Sequence, residues 1–247
     1  MRLNKLIFEL CLSDVCKLFG AVVIPERVPE ELFSFRHYAV HDPDGWGLAW
    51  YEGGRLKVVK SRESALKNHK FVATAERMNS RIILAHLRRM TRGNVREVNT
   101  HPFRFGKYVF AHNGTVDISE LADYLKGSYR KIRGDTDSEL LFHFLVQNME
   151  RWGNFMGLRK AVKEISEQAR RRHVTSLNFI MADGRYLYVF KRVYRGTNNL
   201  YYYQRGGFYK CFIVSSKPLG ESWVEMENGE FLAVDSHDLS VIRTMVL

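Results

Sequence analysis

The chain has 247 residues, 45% hydrophobic and 26% charged, enough to bury a core without staples in one large domain or two small ones. No run approaches the roughly 18 apolar residues of a membrane span, and Glu9 breaks the early run Leu6-Ile7-Phe8 with no small-residue cleavage site after it, so no secretory signal is expected. The net charge of +11 admits a polyanion partner, but the basic residues are spread along the chain, so no nucleic-acid or membrane partner is expected.

Cys11, Cys16 and Cys211 make an odd count without metal-like spacing. A disulfide framework is not expected, and a reducing cytoplasm is. The first part of the chain reads as strands at 17–24, 46–52, 55–60, 81–86 and 107–112, with Gly53-Gly54 as a hairpin turn. A helix is expected over 63–79. A short one follows Asp117 and stops at Gly127. Leu140, Leu141, Phe144, Leu145 and Met149 recur at helical spacing after Asp137, and a second helix spans about 155–171, closed by Arg170-Arg171-Arg172. Strands follow at 175–182, 185–191, 199–204, 207–215, 230–235 and 239–246. Tyr201, Tyr202 and Tyr203 belong to one of them, and Cys211 packs in another. No linker divides the chain. Strand-rich regions around paired helices imply a layered α+β fold of two packed sheets with helices outside.

Five segments bear chemistry. Val15-Cys16-Lys17-Leu18-Phe19-Gly20 opens an apolar strand with a cysteine, which by itself reads as packing. His41-Asp42-Pro43-Asp44-Gly45-Trp46-Gly47 is a turn that can bring backbone close to a ligand. Ala85-His86-Leu87-Arg88-Arg89-Met90-Thr91, followed by Asn99-Thr100-His101-Pro102-Phe103, is a strand running into a loop of donors, where a guanidinium can grip a carboxylate. Phe110-Ala111-His112-Asn113-Gly114 ends a strand at a turn pair that can also form an oxyanion hole. Gly134-Asp135-Thr136-Asp137-Ser138-Glu139 is ordinary helix capping, or a carboxylate for a substrate ammonium.

The order of these segments resembles the class II glutamine amidotransferases, above all the small stand-alone ones of bacteria and archaea, over essentially everything from Cys16 onward. The resemblance implies the four-layer αββα sandwich of N-terminal-nucleophile hydrolases. It implies Cys16 as nucleophile, Asn113 and Gly114 as oxyanion donors, Arg88 on the glutamine α-carboxylate, Asp137 on its α-amine and Thr91 as a further substrate contact. It calls for no metal or organic cofactor. The substrate is glutamine or another γ-glutamyl amide or peptide, and released ammonia can pass to a separate synthase subunit. A non-catalytic basic binding module is the competing class; it has no use for these five residues together.

The family cysteine begins its mature chain, whereas residues 1–15 precede Cys16 here. A free α-amine titrates near ~8 and can shuttle the thiol proton; an amide nitrogen cannot. Residues 1–15 are therefore expected to be a propeptide or a mis-assigned start, with residues 16–247 a single glutaminase domain. A GTG codon at Val15 would fit the second alternative.

Overall fold

The computed structural model describes residues 16–90, 96–117, 120–169 and 173–246. The elements of its first part are β1 (Lys17–Ile24), α1 (Glu30–Arg36), β2 (Trp46–Glu52), β3 (Arg55–Ser61), α2 (His69–Ala75) and β4 (Ile82–Leu87). Then come β5 (Phe103–Phe105), β6 (Tyr108–Asn113), α3 (Leu121–Tyr124), α4 (Asp137–Trp152) and α5 (Asn154–Ala169). The last part holds β7 (Asn178–Ala182), β8 (Tyr186–Phe190), β9 (Tyr201–Arg205), β10 (Lys210–Ser215), β11 (Val224–Glu225), β12 (Glu230–Asp235) and β13 (Val241–Met245).

The strands form two antiparallel sheets, ordered β11-β9-β10-β1-β4-β2-β3 and β13-β12-β8-β7-β6-β5. Each sheet draws on both early and late strands. The late strand β10 and the early strand β4 pair with the two edges of β1, which lies inside its sheet with both faces buried and reads after Lys17 as a continuous apolar run.

Alternation along the strands builds the layers. Leu18 and Val22 of β1 face inward and pack with Val109, Ile180, Val189 and Leu232 of the other sheet. Phe19, Ala21 and Val23 face outward, against Leu32 and Phe35 of α1 and Phe71 and Ala75 of α2. On the far side Phe110, Phe179, Phe190 and Phe231 meet Leu141, Leu145, Leu158 and Val162 of α4 and α5. The result is the αββα sandwich. A Cβ on Gly20 would stand 2.9 Å from Ile180 Cγ2, so the two sheets approach closely at that point.

Several expected elements change. The helix expected over 63–79 is α2 alone. Asn68 caps it by accepting from Lys70 N, and Arg36 holds the preceding turn through the carbonyls of Ala65 and Leu66. The helix expected from Asp117 to Gly127 shrinks to α3, preceded by Glu120 rather than Asp117, with a 3₁₀ turn at Gly127–Arg130. The motif Pro29-Glu30-Glu31 starts α1, an element too short for a periodic signal. Arg170-Arg171-Arg172 lies outside the described residues. Tyr201, Tyr202 and Tyr203 do belong to a strand, β9, and Cys211 is buried in β10 opposite Val23. Among the described residues no helix is long and apolar enough to cross a membrane.

Candidate active site

Sheet register brings the first two site residues together. Lys17 pairs with Leu87 across β1 and β4, so the residues just beyond, Cys16 and Arg88, emerge side by side at the sheet end. The Asp42–Gly45 turn seals that end. Asp44 N donates to the Arg88 carbonyl over 2.9 Å, and Arg88 N donates to the Gly45 carbonyl over 2.8 Å. The Arg88 side chain is buried, yet borders the cavity described below.

Cys16 is gripped on three sides. Its backbone N–H donates to Asp42 Oδ1 over 3.0 Å, and its carbonyl accepts from Asn113 Nδ2 over 3.0 Å and from Lys17 Nζ over 3.3 Å. Sγ lies 3.3 Å from Arg89 N, which donates to it, and 3.2 Å from the Arg89 carbonyl. Among the described residues no imidazole or carboxylate is hydrogen-bonded to this sulfur. Burial pushes the thiol up to about 12, against the lowering effect of the Arg89 backbone; Asp42 adds to the rise, and Lys17 and Arg88 oppose it. The residue has φ 66°, in the left-handed region that a side chain with a Cβ seldom occupies.

The opposite wall comes from the other sheet. Asn113 ends β6, and its own carbonyl accepts from Ser176 Oγ over 2.8 Å. One of its two amide hydrogens goes to Cys16, and the amide has a second. His112 Nε2 lies 3.2 Å from the Ser176 carbonyl, which can only accept; this assigns the proton to Nε2 and leaves Nδ1 facing Ser138 Oγ at 2.9 Å. Burial lowers its basicity and keeps that ring neutral, although Asp137 works the other way. Asp137 is the first residue of α4, after the Thr136 cap whose side chain accepts from Glu139 N. Its Oδ2 accepts from Val116 N over 2.7 Å and its Oδ1 from Ser138 N over 2.8 Å.

Cys16, Arg88, Asn113, Gly114 and Asp137 all line one cavity of about 580 Å³. Thr91 lies outside the described residues. The far wall of the cavity includes Thr175, Arg195 and Asn198. The chain matches the family model for class-II glutamine amidotransferases over residues 15–210. The chain belongs to that family.

The chain is 29% identical to the uncharacterized protein MJ1515 of Methanocaldococcus jannaschii over 263 residues, covering 91% of this chain and 70% of that one. It is 31% identical to YafJ of Escherichia coli strain K12 over 191 residues, covering 70% of this chain and 71% of YafJ. Among solved structures, a glutamine aminotransferase class-II domain protein from Silicibacter pomeroyi superposes with a TM-score of 0.70 at 19% identity, covering 93% of this chain and 99% of that one. That likeness gives the fold: the N-terminal-nucleophile hydrolase sandwich.

The site includes groups that the sequence left without a role. Asp42 read as one residue of a turn, and Ser176 carried no signal, because its partners are 63 and 64 positions away. The His86 and His101 rings pack against each other with centroids 4.4 Å apart and planes tilted by 39°, and among the described residues none of their four ring nitrogens has a hydrogen-bond partner. Burial pushes His86 down to about 3 and His101 well below its usual value, so both rings are neutral near pH 7. A spacing-based reading cannot see this pair, since β4 and the residues before β5 come together only across the sheets.

Proposed function

We propose that the active form begins at Cys16 and hydrolyses the side-chain amide of glutamine through a γ-glutamyl thioester. One observation carries the reading. A thiol raised to about 12 needs a base, and the described partners of its sulfur are backbone groups of Arg89. The amine of the same residue can then serve as that base, provided residues 1–15 are gone. The φ of 66° supports that removal, because a first residue has no such dihedral and sheds its strain.

In the proposed reaction Arg88 holds the substrate α-carboxylate and Asp137 its α-ammonium. The S–H bond breaks and its proton passes to the Cys16 amine. Sulfur bonds to the amide carbon, and the carbonyl electron pair moves to oxygen. The second Asn113 N–H and the Gly114 N–H stabilise that oxyanion. As the oxyanion collapses, the C–N bond breaks and the ammonium proton leaves with ammonia. Water then gives a proton to the amine and its oxygen to the acyl carbon. The C–S bond breaks, the proton returns to sulfur, and glutamate departs.

The test joins mass to rate. Protein from its own host is expected to begin at Cys16 and to release ammonia from glutamine, and Cys16→Ala is expected to abolish turnover while glutamine still binds. Undiminished glutaminase activity in Cys16→Ala refutes the reading. A Val15 codon other than GTG rules out the start-site alternative and leaves a propeptide or an extension that stays attached and silences the site.

A second reading keeps the same half-reaction but replaces ammonia with a larger amine. A cavity of about 580 Å³ falls within the size range of sites for drug-sized ligands, ~300–1,000 Å³, and leaves room beyond a single amino acid. Rates on γ-glutamyl dipeptides above those on glutamine would select it. Preference for glutamine would favour ammonia delivery to a synthase.

A further inference from the structure

Asp42 is fully buried in the loop before β2, and Lys17 beside it is 3% exposed. Asp42 Oδ2 lies 3.3 Å from Lys17 Nζ, and the pair spans both backbone groups of Cys16: Asp42 accepts from its nitrogen at 3.0 Å, and Lys17 donates to its carbonyl at 3.3 Å. Taking two charges out of water is costly, and packed apolar side chains would stabilise the site as well or better. An ion pair retained against the two ends of one residue therefore points to a task at that residue.

We propose that Asp42 and Lys17 are positioning residues for the α-amine of Cys16: the carboxylate holds the nitrogen beside the thiol, and the ammonium balances the carboxylate so that the amine remains a working base. This rests on the reading of Cys16 as an N-terminal nucleophile. The balance follows from the charges. A buried carboxylate alone, at 3.0 Å from an amine, would favour its ammonium form, which cannot take the thiol proton. A cation against the same carboxylate cancels most of that pull. The remaining neighbours leave the pair in control. Arg88 is the other cation acting on Cys16. Asp44, from the same loop, is turned to Met90 N at 2.9 Å. His86 and His112 behind the strands are held neutral, and Asp137 across the cavity is occupied by Val116 N and Ser138 N.

The two charges pull the amine in opposite directions, and a merely structural pair would not. The experiment uses protein beginning at Cys16, made from a start codon placed directly before it and verified by intact mass. Every described element lies from Lys17 onward and is retained. Asp42→Asn, Lys17→Met, Asp42→Glu and the Asp42→Asn/Lys17→Met double variant are compared with the parent. Two quantities are followed against pH: kcat/KM for glutamine and the rate of Cys16 alkylation by iodoacetamide.

Asp42→Asn is expected to move the acidic limb down by about one pH unit and Lys17→Met to move it up by about one, with Asp42→Glu closer to the parent. The double variant is expected to return the limb near its original position with kcat lowered ~100-fold, because the amine is no longer held. Coincident limbs in all variants, or shifts of one sign in both single variants, overturn the proposal. If circular dichroism finds Asp42→Asn unfolded, Lys17→Met and the double variant decide by the same criteria. A parent that never turns over glutamine sinks the nucleophile reading instead, and the alkylation midpoints still decide the roles of Asp42 and Lys17.

Discussion

Asn113 donates its side-chain amide to the carbonyl of Cys16 over 3.0 Å, tying the end of β6 in one sheet to the residue that opens β1 in the other. This bond sets the proposed nucleophile against the proposed oxyanion donor, so in that reading Asn113 has two tasks. Asn113→Ala is expected to lower kcat by ~100-fold to ~1,000-fold with little change in KM, the usual cost of a lost oxyanion donor. Asn113→Asp keeps the shape but loses the donor, and should do no better. Steady-state kinetics check both, and a variant whose KM alone moved would count against the oxyanion role.

Arg88 and Asp137 are expected to act on binding rather than on the chemical step. A charge-assisted hydrogen bond contributes ~1.5–3 kcal/mol, so Arg88→Ala should raise KM for glutamine by roughly 10-fold to 100-fold at similar kcat. Asp137→Asn should weaken binding as well. It should also cost some stability, because Oδ2 accepts from Val116 N at 2.7 Å. Calorimetric titration of glutamine into the Cys16→Ala background measures binding without turnover. Unchanged affinity in either variant would remove that residue from the clamp.

How much of this was legible beforehand follows the range of each interaction. Cys16, Arg88, Asn113, Gly114 and Asp137 are legible through the resemblance of their motifs, in order, to the family; each lies at or next to the end of a regular element, where its local pattern alone reads as packing, turn or cap. The strand β1 was readable from its apolar run, and the helices α4 and α5 from their period. The short α1 was not, because only Leu32 and Phe35 of its seven residues are buried. Asp42 was invisible as a site residue. Its meaning comes from Cys16 N, 26 positions away, and nothing in a Pro-Asp turn announces that contact. The assortment of strands into sheets was hidden too, since it depends on β1 accepting β10 on one edge and β4 on the other.

Two glycines fix the backbone around the site. A Cβ on Gly47 would stand 2.1 Å from the His101 carbonyl, and one on Gly114 would stand 2.1 Å from the Ser176 carbonyl at φ +150°. Neither neighbour is a flexible side-chain tip that could step aside. Gly47→Ala and Gly114→Ala are each expected to destabilise the fold by ~1–3 kcal/mol through overpacking. Gly53→Ala, where nothing lies within 4 Å, should avoid that clash and pay only for its positive φ. Urea midpoints rank the three. Equal losses at Gly47 and Gly53 would contradict the close approach of β2 to the His101 segment.

His86 and His101 should make the protein acid-sensitive. Burial holds His86 near 3 in the fold against 6.5 for an unconstrained ring, and His101 shifts the same way. Between those values the unfolded chain binds protons that the folded chain refuses. Their stabilising contribution is therefore complete above pH 6.5 and declines as the pH falls toward 3. For His86 alone the slope approaches ~1.4 kcal/mol per pH unit. His86→Phe keeps a ring against His101 and removes one of the two titrations. Its loss of stability between pH 7.5 and 5.0, followed by urea denaturation, should be smaller than that of the parent by ~2 kcal/mol. Parallel losses in the two proteins would mean that His86 takes up its proton without unfolding, and that the ring pair is open to water.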